Sequence, residues 1–138
     1  MSSYMMLPWF ERRRAQQLAV YDRDNPKMAE EMRRLDGLYL FGTIGLEAVL
    51  KSDGTVFVAV DDAWDEPDRP PPPWRPATER ERTASLVIAR KRIPEVAELL
   101  PRRPAGATTC ATCKGTGHIV EEVVCMDCGA LGWVAPAA

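Results

Sequence analysis

Apolar positions recur at helical spacing through the first third of the chain and then switch to alternation. Trp9, Arg13, Gln17 and Val20 share one helical face, with Phe10 and Leu18 beside it, and predict a first helix. A second helix is predicted from Pro26, whose fixed φ suits a first turn, with Asn25 as N-cap. It carries Met28, Met32 and Leu35 on one side, and Gly37 is the expected stop. From residue 38 the pattern becomes β, with short runs at 38–41, 46–50 and 55–60. Residues 51–54 join the last two runs, and Gly54 can take the positive φ of a hairpin turn. Gly42 and Gly45 predict a turn or bulge between the first two.

Beyond residue 60 the alternation stops. Residues 61–68 are mostly acidic, and 70–73 are four consecutive prolines, which favour an exposed polyproline II loop. Helix resumes at Thr78, which with Glu81 forms a capping box. Leu86, Ala89 and Ile93 give this helix its stripe, although 86–88 also reads as a buried strand. A short helical turn follows over 94–100, and 101–106 is the best boundary signal in the chain. The reading is an α+β fold: a small antiparallel sheet with flanking helices and a C-terminal four-cysteine zinc hairpin. It places an α+β domain at 1–104, with a proline-rich loop at 67–76, and a zinc-hairpin module at 105–138.

Composition narrows the function classes. A chain of 138 residues, 46% hydrophobic and with net charge -2, is not collagen-like or wholly disordered. No run approaches the roughly 20 apolar residues that cross a bilayer. At the N-terminus the apolar stretch precedes the arginines, the reverse of a secretory signal, so a cytoplasmic protein without membrane contact is expected. In that compartment cysteines point away from disulfides and toward a metal.

All four cysteines fall in two Cys-x-x-Cys units, Cys110 with Cys113 and Cys125 with Cys128. Two residues between cysteines let both sulfurs of a tight turn face one ion, and two such units complete a tetrahedron. Gly115 and Gly117 follow the first pair, and Gly129 and Gly132 the second, which lets backbone amides swing toward the thiolates. The stretch 118–124 reads as a strand returning the chain to the second pair. One structural Zn2+ is the expected cofactor, since four cysteines leave no open coordination place. Iron can share this ligand set, a redox dithiol would use one unit alone, and four unmetallated buried thiols are the remaining alternative. His118 is a fifth candidate for four places and is expected outside the ligand shell. Trp133 is expected to cover the core of the hairpin.

Cys110 to Gly117 resembles the CxxCxGxG unit in the cysteine-rich zinc region of DnaJ-type co-chaperones. Cys125 to Gly132 resembles it too, with Ala130 where the pattern has glycine. Residues 110–132 thus look like half of that region, which implies a zinc hairpin and contact with polypeptide. No His-Pro-Asp tripeptide of a J-domain occurs. Residues 38–45 and the following Asp53-Gly54 hairpin resemble the sheet segment of SUKH-superfamily proteins, many of them bacterial immunity proteins. That resemblance spans 38–60 and implies a toxin-neutralising or adaptor role.

Charge and aromatic placement suggest where a partner would bind. Residues 36–68 hold one cation against eight anions, and residues 69–104 hold nine against four. Asp61, Asp62 and Asp65 suit a basic partner, such as a toxin or a larger assembly, by speeding encounter. Trp64 and Trp74 flank the proline run and either present it to that partner or pack back onto the domain. These residues do not follow the order of a calcium loop. With a single histidine, and that inside the zinc hairpin, no conventional general-base enzyme is expected. The favoured function is a non-catalytic protein-interaction module. The alternative is a nucleic-acid-associated zinc protein using the arginine-rich segment 75–103, with Arg80, Arg90, Lys91, Arg92, Arg102 and Arg103 on phosphates.

Overall fold

The computed structural model describes residues 7–43, 46–59, 73–120 and 123–136. The fold is α+β, and the chain forms two compact units, residues 1–76 and 77–138.

The first unit sets two helices on a four-stranded antiparallel sheet. Helix α1 (Phe10–Asp24) and helix α2 (Pro26–Leu35) are followed by strands β1 (Gly37–Thr43), β2 (Leu46–Lys51), β3 (Val56–Ala59) and β4 (Arg75–Pro76), in that order across the sheet. Local chemistry sets the helix boundaries. Asn25 accepts the Met28 amide at 3.2 Å, and Pro26 occupies the first turn of α2. The stop is Asp36, which takes the left-handed conformation at φ 56°, rather than the expected Gly37. Gly37 instead opens β1, where a Cβ would collide with the Val49 side chain.

Leu38 pairs with Leu50, and Leu50 with Val56, so one apolar row crosses three strands. Thr43 pairs with Leu46, so the chain reverses between β1 and β2 where Gly42 and Gly45 predict a turn, although Gly45 itself lies outside the described residues; a register shift falls earlier, between Tyr39 and Phe41. That extra residue lets Leu40 and Phe41 both be buried. On the helical side, Met28, Met32 and Val49 form a buried cluster against which Leu18, Tyr21, Leu35, Tyr39 and Trp74 pack. Each large side chain fully buried in this way contributes about 1.5–3 kcal/mol. The acidic stretch expected as a partner surface, with Asp61, Asp62, Trp64 and Asp65, lies outside the described residues. The last residues of the predicted proline-rich loop, Arg75 and Pro76, are not free loop but pair with Val58 and Phe57 as β4. Proline fits there because an edge strand can leave an amide position unpaired.

β1 is a sheet edge, and α1 covers its main chain. Gln17 donates to Tyr39 O at 2.9 Å and accepts from Tyr39 N at 2.8 Å, while Arg14 Nε donates to Gly37 O at 3.1 Å. The face predicted from Trp9, Arg13, Gln17 and Val20 is therefore not a uniform apolar seam: Trp9 is buried, Gln17 binds backbone, and Val20 is exposed.

In the second unit, helix α3 (Glu79–Ala89) begins at the predicted capping box, with Glu81 N on Thr78 Oγ1 at 3.2 Å and Thr78 N on Glu81 Oε1 at 2.9 Å. Residues 86–88 are helical. A 3₁₀ helix (Pro94–Leu99) follows, and then two short ribbons: β5 (Thr108–Thr109) with β8 (Trp133–Val134), and β6 (His118–Val120) with β7 (Val123–Val124). The single strand expected over 118–124 is thus a hairpin, which brings the second cysteine pair back beside the first. The boundary expected at 104 falls within this unit. Ala84 and Val87 of α3 pack with Ala130 of the second cysteine turn, and Thr83 bonds the Gly129 carbonyl, so helix and hairpin share a core.

Candidate metal centre

Each Cys-x-x-Cys unit closes into a tight turn, and the two turns repeat each other fifteen residues apart. Cys110 faces Cys125 with sulfurs 3.9 Å apart, and Cys113 faces Cys128 at 3.7 Å. Thr112 donates to Asp127 at 2.6 Å across the same repeat. The repeat extends to the backbone. Cys110 N donates to Gly132 O at 3.0 Å, and Cys125 N donates to Gly117 O at 2.8 Å. Gly117 donates to Cys113 Sγ at 3.3 Å and Gly132 to Cys128 Sγ at 3.2 Å, so one amide stabilises a sulfur in each turn.

Left-handed backbone makes these turns possible. Lys114 and Gly129 hold φ of 56° and 64°, Gly115 and Ala130 hold 87° and 67°, and Gly117 and Gly132 hold 81° and 85°. Ala130, the one departure from the glycine pattern, adopts the glycine conformation anyway, and its methyl packs against Ala84 and Val87. Glycine is required two residues later in each turn. A Cβ on Gly117 would lie 2.5 Å from Ala130 O, and one on Gly132 would lie 2.6 Å from Gly115 O.

All four sulfurs are buried and lie within 4.8 Å of one another, so together they can hold a metal ion. Thiolates about 2.3 Å from a tetrahedral ion need edges of about 3.8 Å, close to the two measured spacings. His118 is not among them; its Nδ1 lies 3.2 Å from Thr116 O. Electrostatics favours a cation here. Burial pushes the Cys113 thiol up, but the Gly117 and Gly115 amides and the neighbouring Cys110 and Cys128 sulfurs outweigh it and hold it at about 6. Burial together with the Cys113, Cys125 and Cys110 sulfurs pushes Cys128 up to about 12, against the Gly132 amide. The first thiolate forms readily and opposes the next, a conflict that a bound cation removes.

Comparisons with family models, curated proteins and solved structures return no match. The local resemblances at 110–132 and 38–60 therefore carry no family assignment.

Trp74 is half-buried against the Met28, Met32 and Val49 cluster, and its Nε1–H donates to Glu31 Oε2 at 2.7 Å. Trp133 does not cover the cysteines; Val134 packs on them instead. Trp133 lines a groove of about 450 Å³ with Arg80, Pro101, Asp127, Cys128 and Leu131. Of the arginine-rich segment, Arg103 is tied to Ala107 O at 3.3 Å, while Arg80, Arg90, Lys91, Arg92 and Arg102 are exposed. No helix among the described residues is long and apolar enough to cross a membrane. Sequence reading missed the exposed apolar residues around the second turn, Ile119, Val120, Val123 and Met126. The available signal was the β-branched pairs Ile119-Val120 and Val123-Val124 on either side of Glu121 and Glu122, between the glycines of the two turns.

Proposed function

We propose that the second unit is a protein-interaction module in which one zinc ion, held by Cys110, Cys113, Cys125 and Cys128, fixes a partner-binding surface. Zinc is the best reading of the ion because four buried cysteine sulfurs within 4.8 Å of one another close its coordination and leave no place for substrate. The role is structural: a two-strand ribbon of this size has too small a core of its own, and the metal supplies cross-links.

One observation carries the interaction. Five large apolar side chains are exposed among the described residues, and four of them, Ile119, Val120, Val123 and Met126, sit on the zinc hairpin. Clustered exposed apolar side chains mark contact surfaces more often than solvent faces. An adaptor or immunity role is the finer form of this proposal.

The test places a photo-crosslinking residue at Val120 and, as control, at Val20, the fifth exposed apolar position. A discrete adduct from position 120 in cells expressing the protein, lost in Cys113→Ser, supports the reading. Absence of any adduct beyond that from position 20 overturns it. Native mass spectrometry before and after a chelator checks the metal, with one zinc per chain expected.

A further inference from the structure

The fifteen-residue repeat of the cysteine turns is broken at one place, and the break leaves a strand edge open. Cys110 N donates to Gly132 O and Cys125 N to Gly117 O, while the amides of Gly132 and Gly117 turn to Cys128 Sγ and Cys113 Sγ. Opposed residues in an antiparallel ladder alternate between bonded and non-bonded pairs. The next pairs outward, Thr109 with Trp133 and His118 with Val124, are therefore non-bonded. His118 and Trp133, equivalent in the repeat, each turn their amide and carbonyl away from the partner strand.

At His118 these groups are satisfied. The Thr116 hydroxyl accepts from His118 N at 3.2 Å, and its one proton is shared between His118 O and Cys113 O, each at 2.8 Å. The residue equivalent to Thr116 in the second turn is Leu131, which has no hydroxyl. Trp133 makes no hydrogen bond outside its own ladder among the described residues. The edge of β1, by contrast, is covered by Gln17 and Arg14.

Trp133 also lines a groove. A cavity of about 450 Å³ is lined by Trp133, Val134 and Ala135, by Glu79, Arg80 and Thr83 of α3, and by Pro101, Asp127, Leu131 and the cysteine Cys128. Glu79 and Asp127 outnumber Arg80, so the lining is net acidic. We infer that this groove binds an extended segment of a partner protein, which adds as a strand to β8 beneath α3, with apolar side chains on Leu131 and Pro101 and a basic residue toward Glu79 and Asp127. Main-chain pairing supplies the affinity in strand addition, and the pockets supply the choice of side chain. This rests on the reading of the unit as an interaction module but uses a surface separate from Ile119 and Val123.

The probe is the blocked hexapeptide Val-Lys-Val-Thr-Val-Thr, titrated into the zinc-loaded full chain and followed by the backbone and indole amide resonances of Trp133. Saturable shifts at Trp133 and Ala135 are expected. Leu131→Thr, which restores the hydroxyl present in the first turn, should weaken binding about tenfold by capping the edge internally. Ala135→Pro removes an outward amide at an edge position that tolerates proline, and should abolish binding with zinc content unchanged. A peptide with Glu in place of Lys should bind several-fold more weakly. Absence of saturable shifts at Trp133, or full binding retained in both variants, overturns the inference. Shifts confined to Ile119, Val120 and Val123 would overturn it too, while leaving the interaction module itself standing.

Discussion

Thr83 Oγ1 on α3 donates a 2.7 Å hydrogen bond to the carbonyl oxygen of Gly129, 46 residues later and immediately after the last cysteine. The bond is buried, and a Cβ on Gly129 would overlap that same hydroxyl, so helix and metal turn fit with no spare room. Thr83→Val keeps the shape but removes the donor. It should lower the stability of the zinc-loaded second unit by about 1–3 kcal/mol, the cost of leaving a buried carbonyl unpaired. Urea unfolding with metal content measured in parallel checks this, and one zinc per chain should be retained.

The positive-φ positions should separate into two kinds. Gly117→Ala and Gly132→Ala place a methyl against a carbonyl of the opposite turn and should both weaken metal binding. Lys114, exposed at φ 56°, pays a conformational strain for its side chain, so Lys114→Gly should be neutral or stabilising by up to about 1 kcal/mol. Competition with a chromogenic chelator ranks the three variants.

Glu31 is 3% exposed, with Arg34 at 2.5 Å and Trp74 at 2.7 Å on one carboxylate oxygen. Burial raises its pKa, but the bonds from Arg34 and Trp74 outweigh this and hold it below the ordinary 4.5. A carboxylate depressed in the fold stabilises fully above its unfolded pKa, and that contribution is lost as pH falls through the folded value. Wild type should therefore exceed Glu31→Gln in stability near neutral pH, with the gap narrowing below 4.5. Denaturant titrations across that range measure it. Trp74→Phe keeps the ring but removes the donor, and should cost about 1–2 kcal/mol at neutral pH.

Metal removal should act on one unit only. With a strong chelator, the amides of Cys110 and Cys125, which donate across the two turns, should lose hydrogen-exchange protection. Amides of β2 should keep theirs, because the first unit draws its stability from an apolar core. Equal loss in both units would contradict this division.

Features set by neighbours in sequence were readable from sequence. The Asn25 cap, the Thr78 and Glu81 capping box, the Gly54 hairpin turn and the turn within each Cys-x-x-Cys unit each depend on residues a few positions apart, where side-chain chemistry acts on adjacent backbone. The stop at Asp36 was misplaced onto Gly37, because glycine is the commoner left-handed residue and the contact that needs glycine at 37 is with Val49, on another strand.

What the tertiary structure alone decided involves partners distant in sequence. Composition put the boundary in the proline- and arginine-rich stretch near 104, yet Ala84, Val87 and Ala130 bury one another and join α3 to the hairpin. Trp74 could present itself or pack inward until Glu31, 43 residues away, supplied an acceptor for its indole. The two cysteine units read as near copies, but only the ladder showed that Thr116 closes one edge while Leu131 leaves the other open. Periodicity tells which face of an element is apolar; it does not tell which other element will cover that face, because that depends on contacts formed only when the chain closes on itself.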